Sequence, residues 1–87
     1  EYWIIITGDD DQPGINGGMI HRESAAPSGP VNIVEVPSLN EALIRVGDNG
    51  GQVFHPRTSV PGIGFLAYCR DPEGNEFGMM EVDPKAS

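Results

Sequence analysis

Basic residues are scarce in this chain. Five Lys plus Arg stand against 13 Asp plus Glu among 87 residues, a formal charge of -8. A surface that acidic repels phosphate backbones and anionic headgroups, so neither nucleic acid nor a membrane surface is an expected partner. Cysteine is scarcer still: Cys69 stands alone and has no partner for an internal disulfide, which makes the cytoplasm the expected compartment. No apolar run approaches the roughly 18 residues of a spanning helix. The acidic start Glu1-Tyr2 lacks the basic and apolar regions of a signal peptide. Phosphate-cradling glycine loops, the H-E-x-x-H zinc motif, C-x-x-C and G-x-S-x-G are all missing, which leaves nucleotide, zinc-protease, thioredoxin and hydrolase readings unsupported. Asp9-Asp10-Asp11 lacks the spacing of a calcium loop and reads as a solvated hairpin tip.

Glycine and proline, by contrast, are plentiful, with 12 and 8 copies, and they punctuate short β-branched and aromatic runs. Strands are expected over residues 2–7, 15–22, 31–36, 52–58, 63–70 and 76–82. One helix is expected. It starts at Pro37-Ser38-Leu39-Asn40-Glu41, where Ser38 and Glu41 have the spacing of a capping box. Leu39, Leu43 and Val46, with Ala42 beside them, then form one apolar stripe, and Gly50-Gly51 ends the helix. Asp71-Pro72-Glu73-Gly74 is a turn between the last two strands.

The chain also repeats itself. Asp11, Gly14, Gly18 and Met19 recur at one constant offset as Asp71, Gly74, Gly78 and Met79, and Ile20 falls on Met80. The first two strands thus echo the last two. The expected organisation is one domain over residues 1–87: a closing hairpin (1–23), a linker (24–30) and a complete βαβββ unit (31–83). A domain this small hides only about 60% of its unfolded surface, so its core is marginal.

The stretch VNIVEVPSL entering a capped helix, then GGQVFHPRTSVPGIGFLAYCRDPEGNEFGMMEVD and the earlier GINGGM, together resemble the vicinal oxygen chelate superfamily. That is the group of glyoxalases, bleomycin-resistance proteins and extradiol dioxygenases. The resemblance implies an α+β fold in which paired βαβββ units form a half-open curved sheet. Here the first unit is incomplete, its upstream strand, helix and strand being lost or supplied by another chain. It also implies a divalent metal held by side chains on the first and last strand of each unit. The matching positions carry Asn32, Gly18 and Gly78. A neutral amide is a poor metal ligand and glycine offers no side chain. The expectation is therefore a domain with no metal cofactor, binding a small organic molecule in an apolar cleft where glycine lets the ligand lie against backbone.

Met80 shares the cleft face with Gly78 by alternation. Phe65 is expected to line the cleft while Tyr68 joins the core. His55 and Arg57 stand near the cleft mouth, Arg57 as a holder of a carboxylate. His21 points away from Gly18, Trp3 and Tyr2 offer an aromatic wall, and Cys69 is expected as a small buried hydrophobe. Two alternatives stand beside this reading. One is a metal-dependent lyase or dioxygenase with ligands relocated to Glu76, Glu81, His21 or His55. The other is an assembly module working only as an oligomer, since unpaired strand edges recruit a second copy and favour a homodimer.

Overall fold

The structure is a computed structural model that describes residues 2–21, 27 and 29–87. The linker expected over residues 24–30 therefore falls largely outside the described residues, as does the end of the second expected strand.

The elements run β1 (Tyr2–Ile5), β2 (Gly17–Ile20), β3 (Ile33–Glu35), α1 (Leu39–Asp48), β4 (Gln52–Val60), β5 (Gly64–Arg70) and β6 (Glu76–Val82). The fold is a small α+β arrangement of one helix and two sheets. β1 and β2 pair antiparallel with each other alone, while the second sheet has the order β3-β6-β5-β4. Its two central strands come last in the chain. β3 lies parallel to β6, and β5 is antiparallel to both its neighbours.

Strand, helix and three strands thus follow in the expected order between residues 33 and 82. β6 has the expected bounds, whereas β1, β2 and β3 are shorter. The β1–β2 hairpin echoes β5–β6 in being antiparallel, yet its ladder pairs Ile4 with Gly18 whereas the later one pairs Tyr68 with Gly78. The first loop therefore spans residues 6–16. It is held by a bond from Gln12 N–H to Asp9 O (3.0 Å) and one from Thr7 N–H to Asn16 Oδ1 (3.0 Å).

Helix α1 begins as its sequence requires. Glu41 N–H donates to Ser38 Oγ (3.3 Å), and Leu39 N–H donates to the Glu81 carboxylate of β6 (2.8 Å). Two orphan amides of the first turn are thereby satisfied, one from within the helix and one from the sheet beneath it. A carboxylate there also complements the positive end of the helix dipole. The apolar stripe lands on one sheet face: Leu39, Ala67, Cys69 and Met79 form the buried centre, with Val36, Ala42, Leu43, Val46, Phe65 and Phe77 packed around it. Leu39 and Cys69 are fully enclosed.

The turn after β5 closes on Gly74 N–H to Asp71 O (2.9 Å), with Gly74 at φ 88°, a conformation that favours glycine. Asp71 Oδ1 accepts from Glu73 N–H (3.0 Å) and Asn75 N–H (2.8 Å). Those bonds, led by the Asn75 side chain, hold the Asp71 carboxyl below its ordinary value. β4, like β3, is an edge strand, and its register slips between Val53 and His55 and again between His55 and Thr58. The second slip contains Pro56, which has no N–H for a ladder and is tolerated at an edge.

Candidate functional site

Helix α1 covers one face of the β3-β6-β5-β4 sheet. The opposite face is built from cross-strand partners, which share a face in a ladder. Gly78 stands between Ile33 and Tyr68, and Met80 between Glu35 and Leu66. β4 continues the rows with His55 beside Tyr68 and Thr58 beside Leu66.

A strip of rings and charges crosses this face. Phe54 stacks on Tyr68 with centroids 6.1 Å apart and planes at 23°, and the His55 ring is tilted against Tyr68 at 5.5 Å. The Arg70 guanidinium lies 4.1 Å from the Phe54 centroid, and its Nη2 is 3.3 Å from Glu76 Oε2. Glu76, Arg70, Phe54, Tyr68 and His55 thus form one continuous series, with Tyr68 buried and Phe54 and His55 half-buried beside it.

Thr58 Oγ is 2.9 Å from Pro56 O, to which it donates, and 3.2 Å from His55 Nε2. The donor and acceptor roles in that contact depend on the ring tautomer; in the Nε2–H form Nδ1 is the acceptor. It is buried and has no hydrogen-bond partner among the described residues.

The expected site residues separate into three groups. Gly78, Met80 and His55 come together on the helix-free face. Phe65 does not. It packs against the Leu39 cluster on the helix side, where the Arg57 guanidinium covers its ring at 3.9 Å. The expected assignment of Phe65 to the cleft is thus overturned, because the helix docks on the small Ala67 and Cys69 side chains that share a face with Phe65, whereas Tyr68 is buried as expected, on the helix-free face. Gly18 lies in the separate β1–β2 sheet opposite Ile4, joined by no ladder to Gly78. Asn32 precedes β3 and is exposed. Its carbonyl accepts from Gly78 N–H (2.8 Å), but Ile33 is the residue in register with Gly78. Trp3 meets His21 edge-on at 5.4 Å within the β1–β2 hairpin.

The purpose expected for Gly78 changes as well. A Cβ there would meet Ile33 Cγ1 at 3.0 Å and two Tyr68 ring carbons at 3.2 Å. The space is occupied by the protein's own tyrosine, laid across the glycine in a cross-strand pair. A metal-binding side chain has no room at this position. The relocated ligands do not assemble either: Glu81 is bonded to Leu39 N–H, Glu76 pairs with Arg70, His55 is on β4 and His21 follows β2. Among the described residues no three His, Cys, Asp or Glu side chains gather in a metal-binding group. Cys69 is enclosed on the helix side, and burial pushes its thiol up from 9.0, which disfavours the reactive thiolate.

No family model matches the chain, and no curated protein matches it significantly. No helix among the described residues is long and apolar enough to cross a membrane.

Proposed function

We propose that the chain is a module of the vicinal oxygen chelate type that binds a small planar organic molecule on the helix-free face of its main sheet, without a metal. One observation carries the reading: an aromatic strip, Phe54–Tyr68–His55, ends in a buried ring nitrogen that has no hydrogen-bond partner among the described residues. A buried acceptor left unpaired costs about 1–3 kcal/mol, which a ligand donor at Nδ1 would recover. Stacking on the half-buried Phe54 would supply the rest of the affinity, with Met80 on the same face. The chemistry of Asn32 and Gly78 at the resemblance's metal positions supports the metal-free part.

The module is taken to work in the cytoplasm, with a second copy covering the apolar residues of the β1–β2 hairpin. Two measurements test these statements. Protein purified without a tag should contain substoichiometric divalent metal, and a stoichiometric transition metal would overturn the metal-free reading. In a screen of planar phenols and aryl amides by amide NMR, hits should perturb His55, Tyr68 and Met80 together, and His55→Phe should weaken them about tenfold, the worth of one hydrogen bond to a buried acceptor. Hits that ignore His55→Phe would rule out the strip as the site.

A further inference from the structure

An open cavity lies on the helix side of the sheet, between the C-terminal half of α1 and the β5–β6 turn. Its volume is about 350 Å3, and its lining includes Ala42, Val46, Phe77 and Met79, with Arg45 and Pro72. Almost all of that lining is carbon, and the volume reaches the lower end of the range that holds small ligands. Arg45 gives it a polar handle. The other arginines among the described residues are occupied: Arg57 covers Phe65, and Arg70 is bound to Glu76 and Phe54. Arg45 is exposed and forms no ion pair among the described residues, although Glu41 stands one turn earlier.

Asp71 also borders the cavity, but its carboxylate is turned into its own turn by Glu73 N–H, Asn75 N–H and the Asn75 side-chain amide (3.0 Å). The free charge at the rim is therefore the guanidinium, whose planar fork matches a carboxylate.

We propose that this cavity binds a small apolar monocarboxylate, with its hydrocarbon body on Val46, Phe77 and Met79 and its carboxylate on Arg45. A neutral apolar ligand would leave the guanidinium unused, and a cation would be repelled by it. A dianion would meet the Asp71 charge and the net charge of -8 with one guanidinium to offset both.

The test is an amide NMR titration of the full chain with phenylacetate, phenylacetamide and phenethylammonium. Phenylacetate should give saturable shifts at Ala42, Val46, Gly51 and Phe77, with the amide and the ammonium at least about tenfold weaker, as loss of a charge-assisted bond requires. Arg45→Gln should weaken phenylacetate by a similar factor, leave phenylacetamide unaffected and leave the melting temperature unchanged. Arg45→Lys should fall between, which separates loss of the fork from loss of charge. Ala42→Phe should fill the cavity and abolish binding. Equal binding of acid and amide, phenylacetate binding indifferent to Arg45→Gln, shifts confined to His55 and Tyr68, or no shifts at all would each overturn the proposal.

Discussion

Tyr68 lies across Gly78, and the fit leaves no space for a methyl group. Gly78→Ala should cost about 1–3 kcal/mol through overpacking, read as a lowered midpoint in urea. Combining it with Tyr68→Leu should recover part of that loss, so the double-mutant cycle should show coupling between the two positions. At Asp71 the carboxyl is held below its ordinary value of 3.8 by hydrogen bonds from its turn, first that of the Asn75 side chain. A depressed folded value means the ionised group supports the fold. That support is complete above about 3.8 and is lost as pH falls through the lower folded value. An NMR titration of the Asp71 carboxyl should therefore find its midpoint below 3.8, and Asn75→Ala should move it up. Cys69 should resist thiol reagents until the protein is unfolded by denaturant, because both its enclosure and its raised value keep it a protonated thiol.

Helix α1 is tied to the sheet by a bond that runs between elements, from Leu39 N–H to the Glu81 carboxylate. Glu81→Ala should destabilise the domain by about 0.5–2 kcal/mol, comparable to loss of an N-cap, whereas Leu39→Ala, which empties the centre of the core, should cost about 2–5 kcal/mol. Thermal unfolding of both variants checks the ranking. Much at this scale is legible from sequence. Ser38 and the Leu39–Leu43–Val46 stripe mark the helix, and Asp71-Pro72-Glu73-Gly74 marks the turn. The pairing of Phe65 was legible too, although alternation along β5 alone is blind to it. Counting back from the turn pairs Arg70 with Glu76 and hence Cys69 with Phe77, Ala67 with Met79 and Phe65 with Glu81. Once Phe77 and Met79 are assigned behind the sheet, Phe65 must join them. The register slips in β4 are not written in any local pattern except Pro56, so the approach of His55 to Tyr68 needs three dimensions. Neither is the separateness of Gly18 readable, because the repeat matches residues while the two hairpins pair them differently.

Among the described residues, the β3-β6-β5-β4 sheet carries the helix and the buried core, while the β1–β2 hairpin is bare. Trp3, Ile4, Ile5, Ile6, Ile15, Met19 and Ile20 are all exposed, Ile6 at 70% and Ile15 at 87%. A two-stranded hairpin with apolar residues open on both faces is marginal by itself, and a contiguous apolar patch marks an interaction surface. Hydrogen exchange should therefore separate the two sheets in a dilute monomer, with β1–β2 amides exchanging well before those of β5 and β6. If a second copy covers the hairpin, its protection should rise with protein concentration alongside a dimer in sedimentation.

The strand order has a further consequence for how the chain is made. β6 pairs with both β3 and β5 and contributes Met79 to the core and Glu81 to the helix start, yet it is synthesised after β3, α1, β4 and β5. While the ribosome still holds residues 76–82, α1 has neither its sheet partner nor its carboxylate cap, and β3 has no neighbour. Pairing Ile33 with Gly78 closes a long loop, whose entropy opposes early contact. Folding of residues 31–83 thus waits until residues 76–82 have left the ribosome, and the apolar stripe of α1 stays open to chaperones until then.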